Sequence, residues 1–433
     1  MLQTSGRVRF SPATVMVVMT FLAYTVSFMD RQIVSVLIEP IKAELHLSDG
    51  QLGLLTGLSF ALFYCAMSLP IAALADRFSR KRIIVASITF WSVMTALFGF
   101  ARTYPTLFLT RMAVGGAESA FAPAAFSMTA DYYPRRTRST ATGVIAAGSM
   151  LGTTCGIALG GYLAEHLGWR MAMKWAAIPG IVVAVVYAMT VREPKRGQSE
   201  GMQAAPLKTQ RFSSLARTPA YLLMVASAAI GMFVLYACVH WFPAYLVRTH
   251  HMTEGAVGVL LGPVLGGVGV ASMLAGGYAT DVFSRNDIRW TAWCPAIVAL
   301  AGVPLLAFAF YTNDQSTAVA LFGLAYFAVM FQCSPIVSSI QSLVPSTLRA
   351  RATAVFMLTT TLVGSGIGPT LAGFLSELYE PSFGQDSLRH ALLTMTPMLV
   401  VSPLLLALAA PRLAPSRSTP VREVPLMSAD TPA

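Results

Sequence analysis

The sequence predicts an all-α membrane protein of twelve transmembrane helices, arranged as two pseudo-symmetric six-helix bundles. Three observations predict it. Of 433 residues, 55% are hydrophobic and only 11% charged. The apolar residues gather in runs long enough to cross a bilayer. The two halves of the chain also repeat a pair of loop motifs at corresponding places.

A soluble domain carries roughly 25% charge. At less than half that, with a mean hydropathy of +0.63, this chain cannot cover a globular surface, and lipid must meet most of it. The formal charge of +11 would suggest nucleic acid in a soluble protein. Here Lys and Arg sit in short clusters between apolar runs, so no nucleic-acid partner is expected. Cys65, Cys155, Cys238, Cys294 and Cys333 all lie inside apolar runs without metal-ligand spacing. They read as small core residues, with no disulfide, metal or cofactor implied. Arg7 and Arg9 precede the run from Ala13 in the manner of a signal peptide, but no small-residue cleavage site follows and the run is too long.

Spans are expected at 14–38, 51–75, 83–101, 105–129, 139–164, 171–191, 219–247, 255–279, 290–311, 317–340, 350–376 and 388–410. The positive-inside rule orients them. One side collects Arg77, Arg80, Lys81, Arg82, Arg135, Arg136, Arg138, Arg192, Lys195, Arg196, Lys208, Arg211, Arg217, Arg285, Arg289, Arg349 and Arg351. The other side holds scattered single charges such as Lys42, Arg102 and Arg248, and the acidic segment Glu377, Glu380, Asp386. The expectation is an inner-membrane, multi-pass protein with both termini in the cytoplasm. Residues 1–191 then form one bundle and 219–411 the other, joined by a cytoplasmic linker at 192–218 and followed by a disordered tail at 412–433. The charges of linker and tail would sit near anionic headgroups.

The repeat is specific. Ala72-Ala-Leu-Ala-Asp76-Arg-Phe-Ser-Arg80-Lys after span two matches Gly277-Tyr-Ala-Thr-Asp281-Val-Phe-Ser-Arg285-Asn after span eight. Pro134-Arg-Arg-Thr-Arg138, followed by Gly152, Gly156, Gly161 and Glu165, matches Pro345-Ser-Thr-Leu-Arg349, followed by Gly364, Gly368, Gly373 and Glu377. Glycines at four-residue steps, Gly148 to Gly160, leave a flat helix face for close approach. These residues resemble the major facilitator superfamily, whose loop signature Gly-x-Leu-Ala-Asp-Arg-x-Gly-Arg-Lys matches 72–81 with Ala72 and Ser79 in place of two glycines. The resemblance implies the major facilitator fold, with Asp76, Arg77 and Arg80 as a cytoplasmic gate in the outward-open state.

Asp30 and Arg31 in span one, and Arg111 and Glu118 in span four, are charges inside apolar runs. Each costs roughly 2.5–3.5 kcal/mol at mid-membrane even on permissive scales, so each is expected to face a cavity and to have a partner. Arg111 and Glu118, seven apart, share one helix face with Gly115 between them. Asp30 and Glu118 are the candidate proton acceptors. Arg111 either balances a carboxylate, binds an anionic substrate group or forms a static salt bridge with Glu118. Arg31 either pairs with Asp30, reaches toward headgroups or lines the cavity mouth. His240, in His-Trp-Phe-Pro-Ala-Tyr, is a candidate cavity residue or a packed core histidine. The second half offers only polar residues such as Gln332 and Gln341, so the first half is expected to handle ions and the second to shape an apolar wall.

Met29-Asp30-Arg31, Asp76-Arg77-Phe78-Ser79-Arg80-Lys81, Phe90-Trp91-Ser92, Thr110-Arg111, Gly116-Ala117-Glu118-Ser119, Val191-Arg192-Glu193-Pro194 and Trp241-Phe242-Pro243-Ala244-Tyr245-Leu246 together resemble the spinster-like transporters. That resemblance implies movement of sphingosine-1-phosphate, lysophospholipids or related amphiphiles, with Asp30, Arg111 and Glu118 as ion-coupling and headgroup positions. Small organic anions and drugs are the alternative solutes, and a receptor or scaffold without transport is the alternative class. No His-Glu-x-x-His, Gly-x-Ser-x-Gly or Walker loop occurs in the sequence. The expectation is therefore a non-enzymatic, monomeric secondary transporter worked by alternating access and a coupling ion, most simply a proton.

Overall fold

The computed structural model describes residues 11–198, 215, 218–344 and 348–413. The first half of the chain forms α1 (Pro12–Val36), α2 (Ile38–Leu45), α3 (Asp49–Thr56), α4 (Leu58–Arg77), α5 (Arg80–Phe98), α6 (Tyr104–Glu118), α7 (Phe121–Tyr132), α8 (Arg135–Leu167) and α9 (Trp169–Thr190). The second forms α10 (Pro219–His250), α11 (Glu254–Pro263), α12 (Gly269–Phe283), α13 (Trp290–Tyr311), α14 (Gln315–Met330), α15 (Cys333–Leu343), α16 (Arg349–Thr359), α17 (Gly368–Phe383), α18 (Ser387–Met395) and α19 (Val401–Ala409). Short π-helical turns join α11 to α12 and α16 to α17. Among the described residues there is no strand.

Among the described residues ten helical stretches are long and apolar enough to cross a membrane, against the twelve expected. Two features account for the difference. The expected span 105–129 is broken at Ser119–Ala120 into α6 and α7, where Pro123 cannot donate the amide hydrogen that the Ser119 carbonyl would receive. The expected spans 350–376 and 388–410 fall in one helical stretch, Arg351–Arg412, interrupted by a turn at Gly384–Asp386. Nothing is described for most of the expected linker and tail, nor for Pro345–Thr347 of the repeated loop.

Large apolar side chains lie on the outside. On α9, Ile178, Ile181, Val182, Val185 and Met189 are exposed, while Ala176, Ala177, Gly180, Ala184 and Tyr187 are buried. A helix whose outward face is the more apolar one is built for lipid.

Glycines bring the central helices together. On α8, a Cβ added at Gly148 would lie 2.6 Å from the Phe21 carbonyl of α1, and one at Gly156 would lie 2.6 Å from the Met29 carbonyl. Gly152 sits closer still to the Thr25 carbonyl, at 2.2 Å. Gly364 and Gly368 approach Met232 and Phe233 of α10 in the same way, so the repeated glycines do the same packing in each half. Gly258 on α11 fits against the Ile157 and Ala158 carbonyls of α8, joining the halves. Cys238 and Cys294 are buried, and all five cysteines are free.

Candidate functional site

Two charged clusters stand out. The first is deep and lies where α1, α4, α5, α6 and α10 meet. The glycine contacts of α8 fix α1 along the stretch that carries Ser27, Asp30 and Arg31. Gly115 on α6 lets the Phe60 carbonyl of α4 come close, which sets α6 beside α4. Glu118, the last residue of α6, is thereby placed at the helix break.

Glu118 Oε2 accepts hydrogen bonds from Arg31 Nε at 2.6 Å and from Ser27 Oγ at 2.8 Å. Ser27 and Arg31, four residues apart, stand on one face of α1 and address one oxygen together. Asp30 Oδ2 accepts from Thr95 Oγ1 of α5 at 2.6 Å. Arg111 donates from Nη2 to the Arg31 carbonyl at 3.2 Å and from Nη1 to the Asp30 carbonyl at 3.5 Å. Asp30, Arg111, Glu118 and His240 are each only 2–3% exposed. Asp30 Oδ1, Glu118 Oε1, Arg111 Nε and His240 Nδ1 are all buried without a hydrogen-bond partner among the described residues. Such orphaned polar atoms are costly unless something occupies the space between them. The Arg31 guanidinium is ringed by Phe28, Phe60 and Tyr64 at 4.9, 4.7 and 5.0 Å from the ring centroids. Arg111 lies over Phe60 as well, at 5.1 Å.

Of the three readings open for Arg111, the static salt bridge is not formed. Arg111 does not take Glu118; Arg31 does. Seven residues along a helix is about 10 Å of rise, too far for a direct pair, whereas α1 crosses α6 at Glu118. Arg31 accordingly neither pairs with Asp30 nor reaches toward headgroups. Gln332 is buried and accepts from Ser402 Oγ at 3.1 Å.

The second cluster, at the end of the molecule carrying the α3 N-terminus, was missed in the sequence. Arg248, near the end of α10, grips Asp49 with Nη1 and Nη2, each at 2.7 Å, and donates Nε to Glu39 at 2.8 Å. Lys42 Nζ and Ser376 Oγ also donate to Asp49, at 2.7 and 2.6 Å. Glu377 accepts from the Gly50 amide at 3.0 Å. This latch joins the two halves of the chain and borders a cavity of about 350 Å³ lined by Glu39, Lys42, Val247, Arg248, His251 and Glu380. Its members look like isolated charges at span ends. The available signal was that four such ends, in both halves, carry complementary signs.

At the opposite end, Arg80 is buried and binds Asp131 and Ser127 Oγ (3.1 Å) of the first half, and Glu193 Oε1 (3.1 Å) and the Pro194 carbonyl (3.1 Å) at the start of the linker. Glu193 accepts further from Ser79 Oγ at 2.6 Å and the Lys81 amide at 2.8 Å. Burial raises the Glu193 carboxyl, but the bonds from Ser79, Lys81 and Arg80 outweigh it and hold it below its ordinary 4.5. Residues 192–198 of the expected linker are thus pinned to the first half by Glu193, Pro194 and Gly197. Arg77 is exposed, and the side chain of Asp76 lies outside the described residues. Among the described residues no group of three or more His, Cys, Asp or Glu could hold a metal ion.

A multi-pass helical protein with an ion pair and further charged side chains at its centre, and a separate ion-paired latch joining its halves at one end, has the architecture of a membrane transporter. The comparisons agree: the family model described as Major Facilitator Superfamily matches residues 20–365, and the chain belongs to that superfamily. It is a transporter, not an enzyme. The chain is 32% identical over 375 residues to an MFS-type efflux pump of Mycolicibacterium smegmatis, covering 86% of each. It is 26% identical over 413 residues to protein spinster homolog 1 of Xenopus tropicalis, covering 89% of this chain and 78% of the relative. A solved bacterial homologue of the human lysosomal transporter spinster, inward-facing and unoccupied, superposes with a TM-score of 0.86 at 26% identity, covering 94% of this chain and 98% of that one. Within the superfamily the chain is spinster-like.

Proposed function

We propose that this protein is a proton-coupled secondary transporter working by alternating access, and that it moves an amphiphilic, lipid-like or other organic anion. The observation that carries the reading is the pair Arg31–Glu118, 2.6 Å apart with Glu118 fully buried, beside an arginine that donates to backbone carbonyls and an aspartate with one oxygen unpartnered among the described residues. A proton on Glu118 cancels its charge and releases Arg31. The freed guanidinium, with Arg111 and His240, then forms the anchor for the anionic group of the substrate, and the aromatic and aliphatic walls take its apolar part. Deprotonation restores the pair and competes with the substrate for Arg31. Asp30 is the second proton site, tied to α5 through Thr95. Since ligand and proton shift one equilibrium only through their differential affinity for its two states, this shared arginine is the coupling element.

In this reading the chain makes twelve passes, six in 1–191 and six in 219–411, with α6–α7 counted as one pass and the stretch Arg351–Arg412 as two. The linker at 192–218 and both termini face the cytoplasm of a cell whose inner membrane holds the protein as a monomer. The Asp49–Arg248 end is the outer one, so the state described is closed outside. The likeness to an inward-facing solved structure supports this assignment. Asp76 and Arg77 serve as the cytoplasmic gate, with Arg80 holding their loop in shape. The similarity to an efflux pump favours a second reading, export of drugs by way of the same central charged cluster.

The test is uptake by proteoliposomes of purified protein, comparing a labelled lysophospholipid with a small dicarboxylate, with and without a pH gradient. Gradient-dependent lipid movement supports the amphiphile. Dicarboxylate movement alone moves the substrate to the small organic anions. Flux of either that ignores the gradient overturns the coupling.

A further inference from the structure

The Phe60 ring lies beneath two guanidiniums at once, 4.7 Å from Arg31 and 5.1 Å from Arg111. It is 2% exposed, and its position is set on both sides. Its own carbonyl is seated against Gly115 of α6, so the ring cannot retreat without separating α4 from α6. Three residues earlier, Gly57 breaks α3 from α4 and seats against Gly366 and Thr370 of the other half. Phe60 therefore opens the segment that continues, through that break, to Asp49 of the latch.

Two like charges in an apolar interior repel strongly; here Arg31 is ion-paired directly with Glu118, whereas Arg111, with Asp30 nearby, donates to backbone carbonyls. The titratable and charged groups that face Glu118 are Arg31, Asp30 and Tyr24 from α1 and Arg111 from its own helix. A ring face carries negative potential, and it attracts cations most when it is desolvated. Phe28 and Tyr64 serve Arg31 in the same way, but Phe60 alone among these rings reaches both guanidiniums.

We propose that Phe60 is a positioning residue for coupling: its ring face holds both guanidiniums, keeping Arg31 on Glu118 and Arg111 on the Asp30 and Arg31 carbonyls. The inference rests on the coupling role given above to the Arg31–Glu118 pair. It adds that ring electrostatics, and not ring volume, keeps the right arginine on the carboxylate.

Fluorination separates the two, because each fluorine weakens the ring's negative face while scarcely changing its shape. Phenylalanine at position 60 is replaced by its monofluoro, difluoro and trifluoro analogues, with Phe60→Leu as the packing control. Two readouts are taken: the Tm of the ligand-free protein in detergent, and gradient-driven proteoliposome uptake of labelled lysophospholipid. The expected result is a stepwise fall with fluorine number, about tenfold in uptake from phenylalanine to the trifluoro ring. The Tm should fall in the same order, and that dependence should disappear when Arg31→Gln and Arg111→Gln are combined. Fluorinated rings that match phenylalanine in both readouts, with only Phe60→Leu impaired, overturn the proposal and leave a packing role. Should the unsubstituted protein carry no lysophospholipid, the substrate reading fails and the Tm series alone decides the role of Phe60.

Discussion

Arg248 holds both carboxylate oxygens of Asp49 at 2.7 Å across 199 residues of sequence. Asp49 is the first residue of α3, where the positive helix end adds to the attraction. Removing one partner of a pair this buried costs about 3–5 kcal/mol in the latched state, because the other is left uncompensated. In a transporter that cost appears as a population shift toward the state in which the latch is open. Asp49→Asn or Arg248→Gln should therefore raise alkylation of a cysteine introduced at Val247, which lines the adjoining cavity, by about tenfold or more. Equal labelling with and without the latch would show that the pair does not hold the end closed.

The glycine contacts of α8 differ sharply along one helix. Gly152 presses on the Thr25 carbonyl, whereas a Cβ at Gly143 meets nothing within 4 Å. Gly152→Ala should destabilise by about 1–3 kcal/mol and displace Asp30 and Arg31 with α1. Gly143→Ala should stay within about 0.5 kcal/mol of the parent. Thermal melting of the two purified variants in detergent checks the contrast.

Glu193 gives a pH prediction at the surface. Its carboxyl is held below the ordinary 4.5 in the folded chain, so its clamp stabilises fully above that value and is lost as pH falls through the lower folded value. The Tm of the parent should exceed that of Glu193→Gln at pH 7, and the gap should close progressively below about pH 4.5. A gap of constant size from pH 7 to 3.5 would remove Glu193 from the clamp.

Much of this was legible in the sequence, for reasons of cost. A charge inside an apolar run is expensive enough that Asp30, Arg31, Arg111 and Glu118 announce themselves, and the structure gathers all four around one junction. Their pairing was not legible, since the choice of Arg31 over Arg111 depends on where α1 crosses α6. That crossing is set by the α8 glycines and by Gly115, which show only that helices approach, not at which height. The latch was hidden for the opposite reason. Lys42 and Arg248 sit at span ends, where a lone charge is cheap, and Ser376 lies 327 residues from Asp49. The break between α6 and α7 was signalled by Pro123 within an otherwise apolar run, and it put Glu118 at a helix terminus.

The central claim is that Glu118 and Arg31 exchange partners as a proton arrives and leaves. It is tested most directly with Glu118→Gln, which keeps the shape and hydrogen-bonding capacity of the side chain but cannot take up a proton. Proteoliposomes loaded with the solute that the parent carries are assayed twice, for exchange of labelled against unlabelled solute without a gradient, and for net uptake driven by a pH gradient. Exchange should persist within a few-fold of the parent while gradient-driven accumulation falls to background. Gradient-driven accumulation equal to that of the parent would contradict the claim.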